Sequence, residues 1–171
     1  MVIALVGYMG SGKSTVGRAL AASLGTAFAD LDDYLESRLG QTIPEVFQSR
    51  GELFFRKKEH ELLREWLEAN RSGVLALGGG TPCYAGNMDM LLGHTPYVVY
   101  LQMSVPGLVA RLREEQLQRP LVAHLPAEEL PEFIGKHLFE RAPFYARAPY
   151  TIICDHQSPE AIVEEIRALL F

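Results

Sequence analysis

The stretch Val2-Ile3-Ala4-Leu5-Val6-Gly7-Tyr8-Met9-Gly10-Ser11-Gly12-Lys13-Ser14 decides the fold. Its second part has the form G-x-x-x-x-G-K-[ST], and it joins a short apolar run to a helix-forming stretch. Glycines at these positions let successive backbone N–H groups turn inward toward phosphate oxygens, and the helix that follows adds its positive N-terminal end. The expected nucleotide-binding set is therefore Gly10, Ser11, Gly12, Lys13, Ser14 and Thr15. Lys13 is expected to reach the β- and γ-phosphates, and the Ser14 hydroxyl to be a ligand of Mg²⁺. The alternative is a glycine-rich strand-to-helix turn that binds nothing; the Lys-Ser pair at this spacing argues against it.

Working outward, 171 residues fit one domain with a single sizeable core. A hydrophobic content of 48% with 22% charged residues is that of an ordinary globular protein. The formal net charge of −5, with basic residues scattered, argues against a nucleic-acid partner. No apolar run reaches the ~18 residues that a membrane span needs. The first strand begins at Val2, so no leader peptide is expected, and the cytoplasm is the default expectation. Cys83 and Cys154 stand far apart in no metal-type spacing, and the histidines show no H-E-x-x-H grouping.

Strand-like and helix-like stretches alternate along the whole chain. Strands are predicted at Val2–Val6, Ala27–Ala29, Val74–Leu77, Tyr97–Leu101 and Tyr150–Cys154. They are continuous apolar runs, as expected of a parallel sheet covered on both faces. Helices are predicted at Lys13–Leu24, Leu31–Leu39, Ile43–Gln48, Glu52–Ala69, Ser104–Glu114, Glu128–Arg147 and Pro159–Leu170. The expected fold is α/β: a P-loop NTPase-type three-layer sandwich with a five-stranded parallel sheet, like the nucleoside monophosphate kinases. The segment from Glu114 to about Ala127 has little periodicity and contains Arg119-Pro120 and Pro126; in a phosphate-transferring fold it is expected to be a mobile lid.

The kind of P-loop protein follows by exclusion. No guanine-reading N-K-x-D and no D-x-x-G switch occurs, and the strand Val74-Leu75-Ala76-Leu77 ends in glycines rather than the Asp of a motor ATPase. That leaves small-molecule kinases. Four later clusters come in a telling order. They are Phe28-Ala29-Asp30-Leu31-Asp32 with Glu36, and Gly51-Glu52 with Phe55-Arg56 and Glu59. They continue with Gly78-Gly79-Gly80-Thr81-Pro82, and finally Arg119-Pro120-Leu121 followed by Arg141-Ala142-Pro143-Phe144-Tyr145. With the loop at Gly7–Ser14, this set closely resembles the shikimate kinase family over nearly the whole chain.

The resemblance implies transfer of the γ-phosphoryl group of ATP to the 3-hydroxyl of shikimate, with Mg²⁺, on one chain acting as a monomer. It implies a substrate-binding helical segment at about 31–60 and a lid at about 114–127. Asp30 would hold a magnesium-bound water, and Asp32 would accept from substrate hydroxyls and orient or deprotonate the attacking one. An extended strand end is expected to put both carboxylates on one side, with Asp33 left to cap the next helix.

Arg56 and Arg141 would grip the shikimate carboxylate, a task suited to a planar guanidinium fork, with Glu59 holding Arg56 in place. Gly78, Gly79 and Gly80 would leave room for the ring and offer bare N–H groups. Arg119 would meet the transferring phosphoryl group from the lid, and Arg111 or Arg113 would stack on adenine, Arg111 being preferred. Two departures stand out: Val122 replaces a usual Leu, and the loop Asp155–Pro159 carries no arginine or lysine. The alternatives are a gluconate kinase, which also phosphorylates a polyhydroxy acid, and a nucleotide-sensing domain that has lost catalysis.

Overall fold

A computed structural model describes residues 1–119 and 121–171. Its centre is a parallel sheet of five strands in the order β2-β3-β1-β4-β5. These are β1 (Val2–Val6), β2 (Phe28–Asp30), β3 (Gly73–Ala76), β4 (Val98–Gln102) and β5 (Tyr150–Ile153). The helices are α1 (Lys13–Leu24), α2 (Leu31–Leu39), α3 (Ile43–Ala69), α4 (Asn87–His94), α5 (Val105–Glu115), α6 (Leu130–Tyr145) and α7 (Pro159–Leu170).

Alternation along the buried strands divides the core into two layers. Val2, Ala4 and Val6 of β1 face one layer together with Leu31, Leu35, Val46, Phe55, Leu63 and Tyr145 from α2, α3 and α6. Ile3 and Leu5 face the other, against Val16 and Leu20 of α1 and Ile162, Val163 and Ile166 of α7. Both faces of the sheet are thus covered, which is why β1 is buried throughout its length.

Helix starts follow side-chain chemistry. Thr42 and Glu45 form a reciprocal capping box on α3, and Ser104 and Ser158 cap α5 and α7. The two predicted helices abut within α3, separated by the non-helical Gly51 at φ 83° and ψ 170°. The structure adds α4 and a 3-10 turn at Thr81–Cys83, for which the sequence reading predicts no element. The eight residues after Gly86, Asn87–His94, are too few to display a helical period, and only Met88 and Leu91 are buried apolar residues there.

Strand β2 runs one residue later than predicted, because the parallel ladder pairs Asp30 with Ala76 of β3. That shift carries Asp30 to the carboxyl end of the sheet. Every strand ends on the same side, so β1, β2 and β3 deliver the phosphate loop, Asp30 and Gly78–Gly80 to one crevice.

Candidate active site

The phosphate loop leaves β1 at Val6 and enters α1 at Lys13. Gly10 and Gly12 adopt φ 81° and 94°, values that other residues reach only with strain, so their glycine identity is a backbone requirement. Lys13 is 9% exposed and its Nζ donates to Gly7 O at 2.8 Å and Tyr8 O at 3.0 Å. Burial lowers its pKa to about 8, with the Asp32 carboxylate opposing that fall. The Ser11 hydroxyl is buried with no hydrogen-bond partner, while Thr15 is exposed on α1. Ser14 Oγ donates to Asp30 Oδ2 at 2.5 Å.

Asp30, not Asp33, is the cap of α2: its Oδ1 accepts from Asp32 N at 2.9 Å and, at 3.4 Å, from Asp33 N. This corrects the strand-end expectation for the two carboxylates. Asp30 has extended backbone at the end of β2, but Asp32 sits in the first turn of α2. The helical turn then carries Asp32 to Gly78, where a Cβ would lie 2.8 Å from Asp32 Oδ1. Burial first, and then the Asp30 and Glu59 carboxylates, raise the Asp32 pKa to about 6.

A cavity of about 970 Å³ opens beside these groups, lined among others by Asp32, Arg56, Gly78, Gly79, Gly80, Arg119 and Arg141. Arg56 comes from α3, just after the Gly51 kink, and its Nη1 donates to Glu59 Oε1 at 3.0 Å. Glu59 is 1% exposed and also accepts from Thr81 Oγ1 at 2.8 Å, so the buried carboxylate is paired on both sides. Arg141 arrives from α6 and is buried to 9% exposure. A Cβ on Gly80 would lie 2.8 Å from Arg56 Nη2 and 3.2 Å from Arg141 Nη2, and one on Gly79 would lie 3.1 Å from Met9 N. The glycine triplet is therefore where two guanidinium groups and the phosphate loop approach bare backbone. Tyr145, one turn after Arg141, donates to Gly79 O and fixes that segment from behind.

The remaining expected residues lie around the loop and the lid. Arg111 Nη1 donates to Gly10 O at 3.2 Å and stands 3.1 Å from where a Gly12 Cβ would be, whereas Arg113 is exposed. Arg119 lines the cavity while its Nε and Nη2 donate to Glu115 Oε2 at 3.0 and 2.7 Å. Pro120 lies outside the described residues. Within the lid, Val122 is fully buried, and Gln116 Nε2 donates to the Val122 and Leu125 carbonyls at 2.8 and 2.6 Å. The loop after β5 is anchored through Asp155, whose Oδ1 accepts from Ser104 Oγ at 2.5 Å.

Two cavity residues escape the sequence reading. His137, one helical turn before Arg141, lies with its Nδ1 2.9 Å from Tyr8 Oη, and burial lowers its pKa to about 4. Tyr84, just beyond the 3-10 turn, presents its ring 3.9 Å from Arg56 Cζ. The i−4 spacing of His137 from Arg141 was the available signal for the first; an aromatic in the glycine loop was the only one for the second.

The chain as a whole is similar to known proteins. A family model described as shikimate kinase matches residues 9–170. A shikimate kinase of Flavobacterium psychrophilum is 46% identical over 169 residues, 99% of this chain and 98% of that protein. The crystal structure of a shikimate kinase from Bacteroides thetaiotaomicron is 38% identical with a TM-score of 0.92, covering 99% of this chain and 98% of that one. One from Acinetobacter baumannii, in complex with shikimate, is 36% identical with a TM-score of 0.87, covering 99% and 92%. A gluconokinase from Sinorhizobium meliloti, at 21% identity and a TM-score of 0.58 over 98% and 89%, shares the fold alone.

Proposed function

The chain belongs to the shikimate kinase family and is an ATP-dependent kinase acting on shikimate, and from that premise we propose how its residues divide the work. The γ-phosphoryl group of ATP passes to the 3-hydroxyl of shikimate, giving shikimate 3-phosphate and ADP. The observation that carries the assignment of roles is the convergence of Arg56 and Arg141 on Gly80, across one cavity from Asp32.

Arg56 and Arg141 hold the acid's carboxylate by charge-assisted hydrogen bonds, and Gly78, Gly79 and Gly80 leave space for its ring. Asp32 accepts from the ring hydroxyls and orients or deprotonates the attacking one; its raised pKa of about 6 suits a group that gains a proton near neutrality. Gly10, Ser11, Gly12, Lys13, Ser14 and Thr15 cradle the phosphates, and Arg111 meets the adenine. Lys13 and Arg119 place positive charge where the transferring group spreads its negative charge. Such a transfer asks little covalent work of the protein, so positioning, charge and exclusion of water by the lid at about 114–127 supply the acceleration.

Ser14 and Asp30 fit a Mg²⁺ site. Ser14 Oγ, which now donates to Asp30 Oδ2 at 2.5 Å, would be the direct hard ligand, and Asp30 would hold a water on the ion. Among the described residues no group of three or more His, Cys, Asp or Glu could hold a metal, which suits an ion held chiefly by water and phosphates. When bound, Mg²⁺ neutralises phosphate charge. Residues 1–171 act as one domain, and a single chain supplies every proposed residue, as the monomer we propose requires. No described helix is long and apolar enough to cross a membrane, in keeping with the cytoplasmic location we propose.

The test is ADP release with Mg-ATP in parallel reactions containing shikimate, gluconate or no acceptor. Turnover with shikimate alone is expected. Turnover with gluconate alone, or ATP binding without any turnover, would overturn the assignment.

A further inference from the structure

Arg56 is held in an unusual environment. Glu59 occupies its Nη1 at 3.0 Å, and its Nε is buried with no hydrogen-bond partner, the Glu52 carboxylate standing too far away at 3.7 Å. A desolvated guanidinium N–H without an acceptor is costly unless something else offsets the lost hydration. The Tyr84 ring supplies that offset: its centroid is 3.9 Å from Arg56 Cζ, against 5.2 Å for Phe55 and 6.0 Å for Phe47. At that distance the cation sits over the negative face of the ring. Gly80 backbone closes in on Nη2 from elsewhere, where a Cβ would be only 2.8 Å away.

We propose that Tyr84 is a positioning residue that clamps the Arg56 guanidinium and thereby sets the affinity for the acid acceptor. The inference rests on the reading of Arg56 as a carboxylate-binding group. Tyr84 comes from the loop after the glycine triplet, while Arg56 comes from α3, so the clamp also locks the two acceptor-side elements together. A long arginine side chain left unclamped would lose much rotamer freedom when the acid binds; a ring already stacked on it removes that freedom beforehand. Tyr84 is 37% exposed and lies outside the buried core, so its removal leaves the core intact.

The experiment measures kcat and both KM values for Tyr84→Phe, Tyr84→Leu and Tyr84→Ala, with Arg56→Lys alongside. Tyr84→Phe should stay within about twofold of the parent, because the ring face and not the hydroxyl does the work. Tyr84→Leu and Tyr84→Ala should raise the KM for shikimate roughly three- to tenfold, with kcat and the KM for ATP unchanged. The clamp is overturned if Tyr84→Phe is as impaired as Tyr84→Ala, if Tyr84→Leu matches the parent, or if both KM values rise together. Should Arg56→Lys leave the KM for shikimate unmoved, the reading of Arg56 itself fails. Should Arg56→Lys raise it while the Leu and Ala variants do not, the clamp alone fails.

Discussion

The two ends of the crevice are built on different principles. At the phosphate end the polar groups are engaged by exchangeable oxygens of the chain itself: Lys13 by Gly7 O and Tyr8 O, Ser14 by Asp30, Arg119 by Glu115. A phosphate must take these groups over from internal partners. At the acceptor end the cations are braced from behind, Arg56 by Glu59 and Tyr84, with bare glycine backbone pressed close to both guanidinium groups. An exchangeable end stores its charge until the reacting group arrives, whereas a braced end is already shaped for one ligand. Changes at the first should act on kcat, and changes at the second on the KM for shikimate.

The largest expected effect is at the phosphate end. Lys13→Met should lower kcat by about 10³-fold, the scale seen when a preorganised charge is withdrawn from a developing anion, with little change in the KM for shikimate. Steady-state kinetics with each substrate varied checks this. If the KM for shikimate rose in proportion, the two ends would not be separable.

Asp32 lies between the ends and is the next largest. Asp32→Asn should cost about 10²-fold in kcat as a lost base, and much less if the residue only orients the hydroxyl. For the unsubstituted enzyme, kcat/KM should fall as pH drops through about 6, where Asp32 takes up a proton, and again as pH rises through about 8, where Lys13 loses one. The same raised pKa means that Asp32 contributes stability below its ordinary value of 3.8 that is lost as pH rises through about 6. Asp32→Asn should therefore be the more heat-stable protein at pH 7.5, by on the order of 1–2 kcal/mol. A melting temperature equal to or below the parent's would break the link between burial and reactivity at this position.

Gly80→Ala sharpens the comparison from the acceptor end. The added methyl would sit 2.8 Å from Arg56 Nη2 and 3.2 Å from Arg141 Nη2. Gly80 has φ −90°, so alanine meets no backbone strain, and the effect is confined to pushing the forks aside. A tenfold or so rise in the KM for shikimate, about 1.4 kcal/mol, is expected with stability nearly unchanged.

Legibility in the sequence follows the same division. The phosphate end is contiguous, so Gly7–Ser14 could be read directly, down to the first residue of α1. The alternation of buried apolar runs likewise gave the three-layer order, because β1 is apolar on both faces. The acceptor end gathers α3, the glycine loop and α6 from distant stretches, and no spacing rule reports that Tyr84 stacks on Arg56 or that His137 meets Tyr8. Only resemblance could bring Arg56, Gly80 and Arg141 together beforehand, and resemblance is silent on residues outside its motifs. Asp30 shows the remaining limit: as an Asp between a strand and a helix it reads as a cap or as a metal-site residue, and its two oxygens serve Asp32 N and Ser14 Oγ at once.

The smallest expected effect tests whether the lid cation is truly exchangeable. Arg119 and Glu115 stand four residues apart and bond at 2.7 Å, with side chains 38% and 45% exposed. An exposed pair of this kind is worth only about 0.2–1 kcal/mol, so Glu115 cannot hold Arg119 against a polyphosphate of higher charge. Glu115→Gln removes the competing carboxylate and keeps a side chain of the same size. It should leave kcat within about threefold of the parent and shift the KM for ATP slightly downward, with the shift shrinking as salt is raised from 50 to 300 mM because exposed charges are screened. A loss of more than tenfold would instead make Glu115 part of the catalytic arrangement, and the phosphate end would then be braced in the same manner as the acceptor end.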